Sequence, residues 1–86
     1  MESKFNAKLW KIGTTIVFTI PHEVVNEFGK NNYIIAKIFI DNDRFEFIMK
    51  SWKCGGSVVL TVPAAYVAAF GLKEGNMVDI ELIKKQ

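Results

Sequence analysis

The chain has 86 residues, of which 50% are hydrophobic and 23% are charged, and its formal net charge is +2. This size predicts one domain spanning residues 1–86, and the hydrophobic content argues against an intrinsically disordered chain. No apolar run approaches the roughly 20 residues that cross a bilayer, and the first residues lack the apolar block of a signal peptide. We therefore expect a soluble cytoplasmic protein without a membrane partner.

The sequence repeats itself with a period of 42 residues. Residues 10–29 align without a gap on residues 52–71, and both segments begin with the motif Trp-Lys-x-Gly. A unit of this length is too short to bury a core alone, so two copies are expected to pack about a pseudo-twofold axis. Repeat one is assigned to residues 1–43 and repeat two to residues 44–86.

Within repeat one, a period-2 alternation around Phe5, Ala7 and Leu9 predicts a half-buried strand. Gly13 indicates a hairpin turn before a β-branched strand at residues 16–20. Pro21 ends that strand and suits the start of a short helix, which Gly29 is expected to cap. A β-rich segment at residues 33–40 predicts the last strand of the unit.

Repeat two follows the same ββαβ order, with a strand near residues 44–50, a hairpin at Gly55, and a second strand at residues 58–62. Pro63 precedes a short helix that ends at Gly71, and residues 77–83 complete the unit. The prediction is a mainly β fold with two short helices and six strands. Closure into a pseudo-twofold barrel would remove the exposed strand edges.

Residue inventory argues against catalysis, because nucleophilic chemistry needs a base within hydrogen-bond reach of a nucleophile. The single histidine, His22, lies at the start of a predicted helix, where a polar side chain helps to solvate free backbone groups. Cys54, the single cysteine, aligns with Ile12 and is interpreted as a small packing residue. We expect no enzyme activity, no metal site and no cofactor.

The strongest functional signal is the basic cluster beside each glycine hairpin. Ammonium groups, hydroxyls and backbone amides at two hairpins suit the phosphate oxygens of double-stranded DNA. Alternatively, the lysines only solubilise the strand edges and the tryptophans pack at the rim. The candidate DNA-binding residues are Lys8, Trp10, Lys11, Thr14, Thr15, Lys50, Trp52, Lys53 and Ser57.

The pattern Lys-x-Gly-x-Ser/Thr, a short β run, Ile/Val-Pro, a short helix and GLKEGNMVDIEL at residues 71–82 resembles the AbrB/MazE/SpoVT family of swapped-hairpin DNA-binding domains. The resemblance implies a transcriptional regulator or nucleoid-associated factor. By position, the resemblance implies that the family's DNA-contacting basic residues fall on Trp10-Lys11 and Trp52-Lys53, flanked by Lys8 and Lys50. Its hairpin hydroxyl falls on Thr15 and Ser57. The sequence departs from the family pattern before the proline, where Thr19 and Thr61 replace arginine.

Two other functions remain open at this stage. One is a double-psi-type barrel that recognises a protein or a substrate, which suits the modest net charge. The other is an antitoxin whose partner is a toxin protein. The sequence also leaves open whether two pseudo-dimers associate into a homodimer.

Overall fold

The computed structural model describes residues 2–28 and 32–84. Within them lie eight β-strands and two short α-helices. The elements in chain order are β1 (Glu2–Lys8), β2 (Trp10–Ile12), β3 (Thr15–Thr19), α1 (His22–Phe28), β4 (Tyr33–Ile40), β5 (Asp43–Lys50), β6 (Trp52–Cys54), β7 (Ser57–Thr61), α2 (Ala64–Phe70) and β8 (Met77–Lys84). The mainly β composition with two short helices is therefore confirmed.

The structure has eight strands instead of the expected six, because the first long strand of each repeat is interrupted in the middle. Leu9 forms the first break, and its backbone is held by the loop before β8. The Leu9 N–H donates to Asn76 O at 2.8 Å, and the Gly75 N–H donates to Leu9 O at 2.8 Å. Ser51 forms the second break, where its N–H donates to Asn32 O at 3.3 Å. Each break lets the chain leave one sheet and enter the other.

The strands form two antiparallel four-stranded sheets, which we call sheet A (β1-β8-β4-β5) and sheet B (β2-β3-β7-β6). Replacing each strand by its equivalent in the other repeat gives the same strand order, read from the opposite edge of the sheet. In sheet A the first strand of each repeat pairs with the last strand of the other repeat. Equivalent residues meet at the centres of the sheets, and Phe18 lies opposite Leu60 in sheet B. In sheet A, Tyr33 pairs with Lys50 as Met77 pairs with Lys8, so the last strands of the repeats correspond at an offset of 44 residues. Their equivalent residues Lys37 and Glu81 lie opposite each other.

The expected closed barrel is wrong, since both sheets are open. Their edges are protected by other means. The edge strands of sheet B have only three residues each, and those of sheet A carry exposed lysines such as Lys8 and Lys50. Short strands and lysines both discourage pairing with a foreign strand.

One hydrophobic core draws on both repeats and lies between the sheets. It includes the fully buried side chains of Leu9, Phe18 and Leu60. The two helices contribute unequally to it. Helix α1 buries Val24, Val25 and Phe28, whereas no residue of α2 is fully buried.

The ends of the helices follow their local sequence. Each helix begins directly after a proline, as predicted. Gly71 caps α2 in the left-handed conformation with φ of 61°, and its N–H faces the carbonyls of Val67 and Ala68. The predicted cap at Gly29 lies outside the described residues. In residues 2–28 and 32–84, neither helix has the length and apolar character needed to cross a membrane.

Candidate nucleic-acid interface

Two tight hairpins, β2–β3 and β6–β7, together make up sheet B. Ile12 pairs with Thr15, and Cys54 pairs with Ser57, so each connection has two residues. Gly13 and Gly55 open these turns with φ of 63° and 60°, a conformation that costs glycine little. The predicted hairpins are therefore confirmed.

The tryptophans of the repeated motif are anchored to the outer face of sheet B. Trp10 Nε1 donates to Thr19 Oγ1 at 3.0 Å, and Trp52 Nε1 donates to Thr61 Oγ1 at 2.9 Å. Trp10 pairs with Val17, and Trp52 pairs with Val59. Both valines are fully buried, although neither belongs to the main core. The indoles therefore cover the side of sheet B that faces away from the core.

The nine candidate residues are divided among three surfaces. Lys8 and Lys50 lie on the outer face of sheet A, beside the exposed Met77 and Tyr33. The tryptophans lie on the outer face of sheet B. The remaining candidates belong to the two hairpins, each of which contributes to a groove against a helix of the other repeat.

The first groove, which we call the polar groove, lies between α1 and the β6–β7 hairpin and has a volume of about 350 Å³. Its polar lining consists of Thr19, His22, Asn26, Lys53 and Ser57. These side chains provide an ammonium, an amide, two hydroxyls and an imidazole. The groove therefore contains several hydrogen-bond donors suited to an anionic group.

The second groove, which we call the apolar groove, is the equivalent site between α2 and the β2–β3 hairpin, with a volume of about 340 Å³. Its name refers to its helix side, where Ala64 and Ala68 replace His22 and Asn26. Its polar groups are the hydroxyls of Thr14, Thr15 and Thr61, and Lys11 does not line it. The same backbone arrangement therefore holds two chemically different grooves.

Sequence reasoning did not connect His22 and Asn26 with Lys53. They belong to different repeats, and only the packing of α1 against the β6–β7 hairpin brings them together. The alignment of the repeats contained a signal, because all four polar residues of α1, which include His22 and Asn26, align with alanines of α2.

Charge is distributed unevenly between the sheets. The four strands and two turns of sheet B, all of them described, contain Lys11 and Lys53 and no Asp or Glu. Sheet A instead carries acidic and basic residues together on its strands. Glu23 and Glu27 of α1 are exposed, and neither lines the polar groove. Among the described residues, neither Lys11 nor Lys53 forms an ion pair with a carboxylate.

The fold resembles a solved structure described as the solution structure of PHS018 from Pyrococcus horikoshii. The TM-score is 0.66 at 19% sequence identity, over 94% of this chain and 88% of that chain. At this identity the likeness concerns the fold alone. No curated protein matches the sequence.

The expected membership of the AbrB/MazE/SpoVT family is wrong. The family model that matches is a different one, described as Domain of unknown function (DUF1905), and the match covers residues 5–82. The motifs that carried the resemblance are short and consist largely of residues that hairpins and helix starts require. The chain belongs to the DUF1905 family.

Proposed function

We propose that the protein binds double-stranded DNA through phosphate contacts at its two hairpins, with the polar groove as the principal contact. The observation that supports this proposal is the isolation of Lys11 and Lys53 on a sheet without carboxylates. Phosphate contacts supply most of the affinity in non-specific DNA binding.

The polar groove adds hydrogen-bond donors to this charge. Lys53 offers an ammonium, Ser57 a hydroxyl and Asn26 an amide, and all three line one concave surface. A phosphate has several acceptor oxygens, so it can be bound by donors that converge from a helix and a hairpin. Beside the β2–β3 hairpin, the apolar groove lacks the amide and the imidazole. The two hairpins therefore bind unequally.

The binding depends on the DNA backbone more than on base sequence. Bidentate arginine to guanine is the commonest specific base contact, and the one arginine of the chain, Arg44, lies on sheet A. The two tryptophans are engaged with threonines. This arrangement favours a protein that coats DNA or tunes its accessibility over one that reads a defined site.

The test is fluorescence anisotropy of the purified protein with a labelled duplex, titrated at several salt concentrations. The variant Lys11→Gln/Lys53→Gln removes both hairpin charges. We expect weaker binding to every duplex and a shallower dependence on salt, by roughly 0.9 in the log–log slope for each lost phosphate contact. The single variant Lys73→Gln, which lies in the loop between α2 and β8, is the matched control for one exposed lysine.

Two results contradict the proposal. One is the absence of binding by the wild-type protein at low salt. The other is a double variant that binds as tightly, and with the same salt slope, as Lys73→Gln.

A second candidate function, recognition of an apolar peptide or substrate, is favoured by the character of α2. This helix has no charged residue, and four of its seven residues are exposed alanines. They include Ala64 and Ala68 of the apolar groove. If this function is the correct one, Ala68→Asp abolishes binding of the apolar peptide or substrate. If DNA binding is correct, Ala68→Asp changes duplex affinity far less than Lys53→Gln does.

A further inference from the structure

The outer face of sheet A, which nothing in the described chain covers, carries large apolar side chains among its charged ones. The three large hydrophobic residues with the greatest exposure in the described chain, Tyr33 at 58%, Met77 at 53% and Ile48 at 49%, all belong to it. Its strand register aligns Ile83, Ile35 and Ile48 in one row across three strands, and the exposed Glu2 ends the row on β1. An apolar row on an open sheet is a feature of surfaces that bind another protein.

Next to this row runs a row of alternating charge. The register aligns Lys4, Glu81, Lys37 and Glu46 across all four strands. Within the chain, Glu81 lies between two lysines, 3.9 Å from Lys4 Nζ and 3.9 Å from Lys37 Nζ. Both distances are at the limit for an ion pair, and Lys4 is 73% exposed, so these pairs contribute little to stability. The sequence of signs along the row is plus, minus, plus, minus.

The sign pattern follows from the repeat. The pseudo-twofold exchanges Lys4 with Glu46 and Lys37 with Glu81, so each charge in the row has its opposite at the equivalent position. The backbone is symmetric at these positions and the charge is antisymmetric. A second molecule whose row runs in the reverse direction presents the complementary sequence of charges.

We propose that this face is a homodimer interface, in which a second copy of the chain stacks on sheet A about a twofold axis parallel to the strands. Such stacking sets Lys4 against Glu46 of the second copy, and Glu81 against Lys37 of the second copy. It also sets Ile83 against Ile35 of the second copy, and Glu2, at the edge of the face, against Ile48 of the second copy. The other face-to-face twofold, parallel to the row, opposes like charges and is excluded by their repulsion. The contact is isologous and therefore closes as a dimer.

A depression on the same face supports this arrangement. It has a volume of about 410 Å³ and includes Asn6, Phe39 and Asp79 in its lining. Asn6 Nδ2 donates to Asp79 Oδ1 at 3.0 Å, which leaves the other carboxylate oxygen available. In the proposed dimer, Arg44 of the second copy lies over Asn6 and next to Asp79. The exposed guanidinium therefore meets a carboxylate across the interface.

The size of the sheet predicts a weak dimer. Four strands of this length form a face of about 19 by 23 Å, from the usual strand spacing and rise. Two such faces bury roughly 900 Å², which is at the small end of specific interfaces. The dissociation constant of the dimer is therefore expected to be tens to hundreds of micromolar, which corresponds to about 5–6 kcal/mol of association free energy.

Sedimentation velocity of the full chain between about 10 μM and 1 mM tests the proposal, since this range brackets the expected affinity. The wild-type protein is expected to shift from the 9.8 kDa monomer toward twice that mass. The variants Lys4→Glu and Glu46→Lys each place like charges together at two points of the interface. Each is expected to weaken dimerisation by more than about tenfold.

Mixing the two variants gives the sharper test. In the heterodimer, one contact pairs the unchanged Lys4 with the unchanged Glu46, and the other pairs the two substituted side chains, which again carry opposite charges. The equimolar mixture is therefore expected to recover wild-type dimerisation. Lys73→Glu and Glu74→Lys, in the loop before β8, are controls with the same charge changes.

Circular dichroism verifies that each variant is folded before its association is compared with that of the wild type. A monomer throughout the concentration range, or a dimer that neither charge reversal affects, overturns the proposal. Failure of the mixture to recover dimerisation, when each variant alone is monomeric and folded, overturns the proposed pairing of Lys4 with Glu46.

Discussion

The two repeats share one backbone design and the outward tryptophan–threonine bonds of sheet B, and they differ most in their helices. Helix α1 buries three hydrophobic residues and presents His22 and Asn26 to a groove, whereas α2 buries none and presents alanines. The residues that the repeats share include those that turns and helix starts require, such as Gly13 and Gly55, and also the exposed lysines of the hairpins. The same fold therefore accommodates two different helix surfaces in its two halves.

The largest expected effect comes from truncating equivalent aromatic residues of the two helices. Phe28 of α1 is fully buried, while its counterpart Phe70 of α2 is half-buried and stacks on Phe45 at a centroid distance of 4.8 Å. We expect Phe28→Ala to cost about 3–5 kcal/mol of unfolding free energy, and Phe70→Ala clearly less.

Urea denaturation measures both variants in parallel. Because a loss of this size approaches the whole stability of a small domain, Phe28→Leu provides a milder form of the same comparison. Equal losses at positions 28 and 70 would show that the helices contribute equally to the core.

The next effect in size separates neighbouring glycines in one hairpin turn. Gly55 has φ of 60°, whereas Gly56 is outside the left-handed region, and an added Cβ has open space at both positions. Gly55→Ala is expected to cost about 1–2 kcal/mol because the backbone conformation disfavours a side chain. Gly56→Ala is expected to change stability by less than about 0.5 kcal/mol. Thermal unfolding of the two variants checks this, and similar losses in both would argue against the assigned turn geometry.

The smallest effect concerns the tryptophan bonds of the two repeats. The Trp52–Thr61 bond is part-buried, and the Trp10–Thr19 bond is exposed. In a double-mutant cycle with Trp52→Phe and Thr61→Val, we expect a coupling of about 0.5–1.5 kcal/mol. The equivalent cycle at Trp10 and Thr19 is expected to give a smaller value, since water competes better there. A larger coupling at the exposed pair contradicts the assignment.

Local signals in the sequence predicted the local structure. The glycines at positions 13 and 55, the prolines before each helix and the β-branched runs indicated hairpins, helix starts and strands close to where the structure has them. These features depend on a few adjacent residues. The positions of hairpins, helix starts and strands can therefore be predicted from the local sequence.

Long-range features were not predictable in the same way. The alternation around Leu9 runs through a strand break that is made by hydrogen bonds to Gly75 and Asn76, far along the chain. The open sheets depend on pairing between repeats, and so do both grooves. The candidate lysines were found by sequence, but their separation onto different surfaces follows from the register of sheet A and the packing of α1.

The polar groove is proposed to bind DNA phosphate more strongly than the apolar groove. Duplex titration by fluorescence anisotropy of Lys53→Gln beside Lys11→Gln tests it most directly, because both variants remove the same charge from equivalent hairpins. We expect Lys53→Gln to weaken binding more, since Lys53 acts together with Asn26 and Ser57. Equal losses in the two variants, or a greater loss with Lys11→Gln, would contradict it.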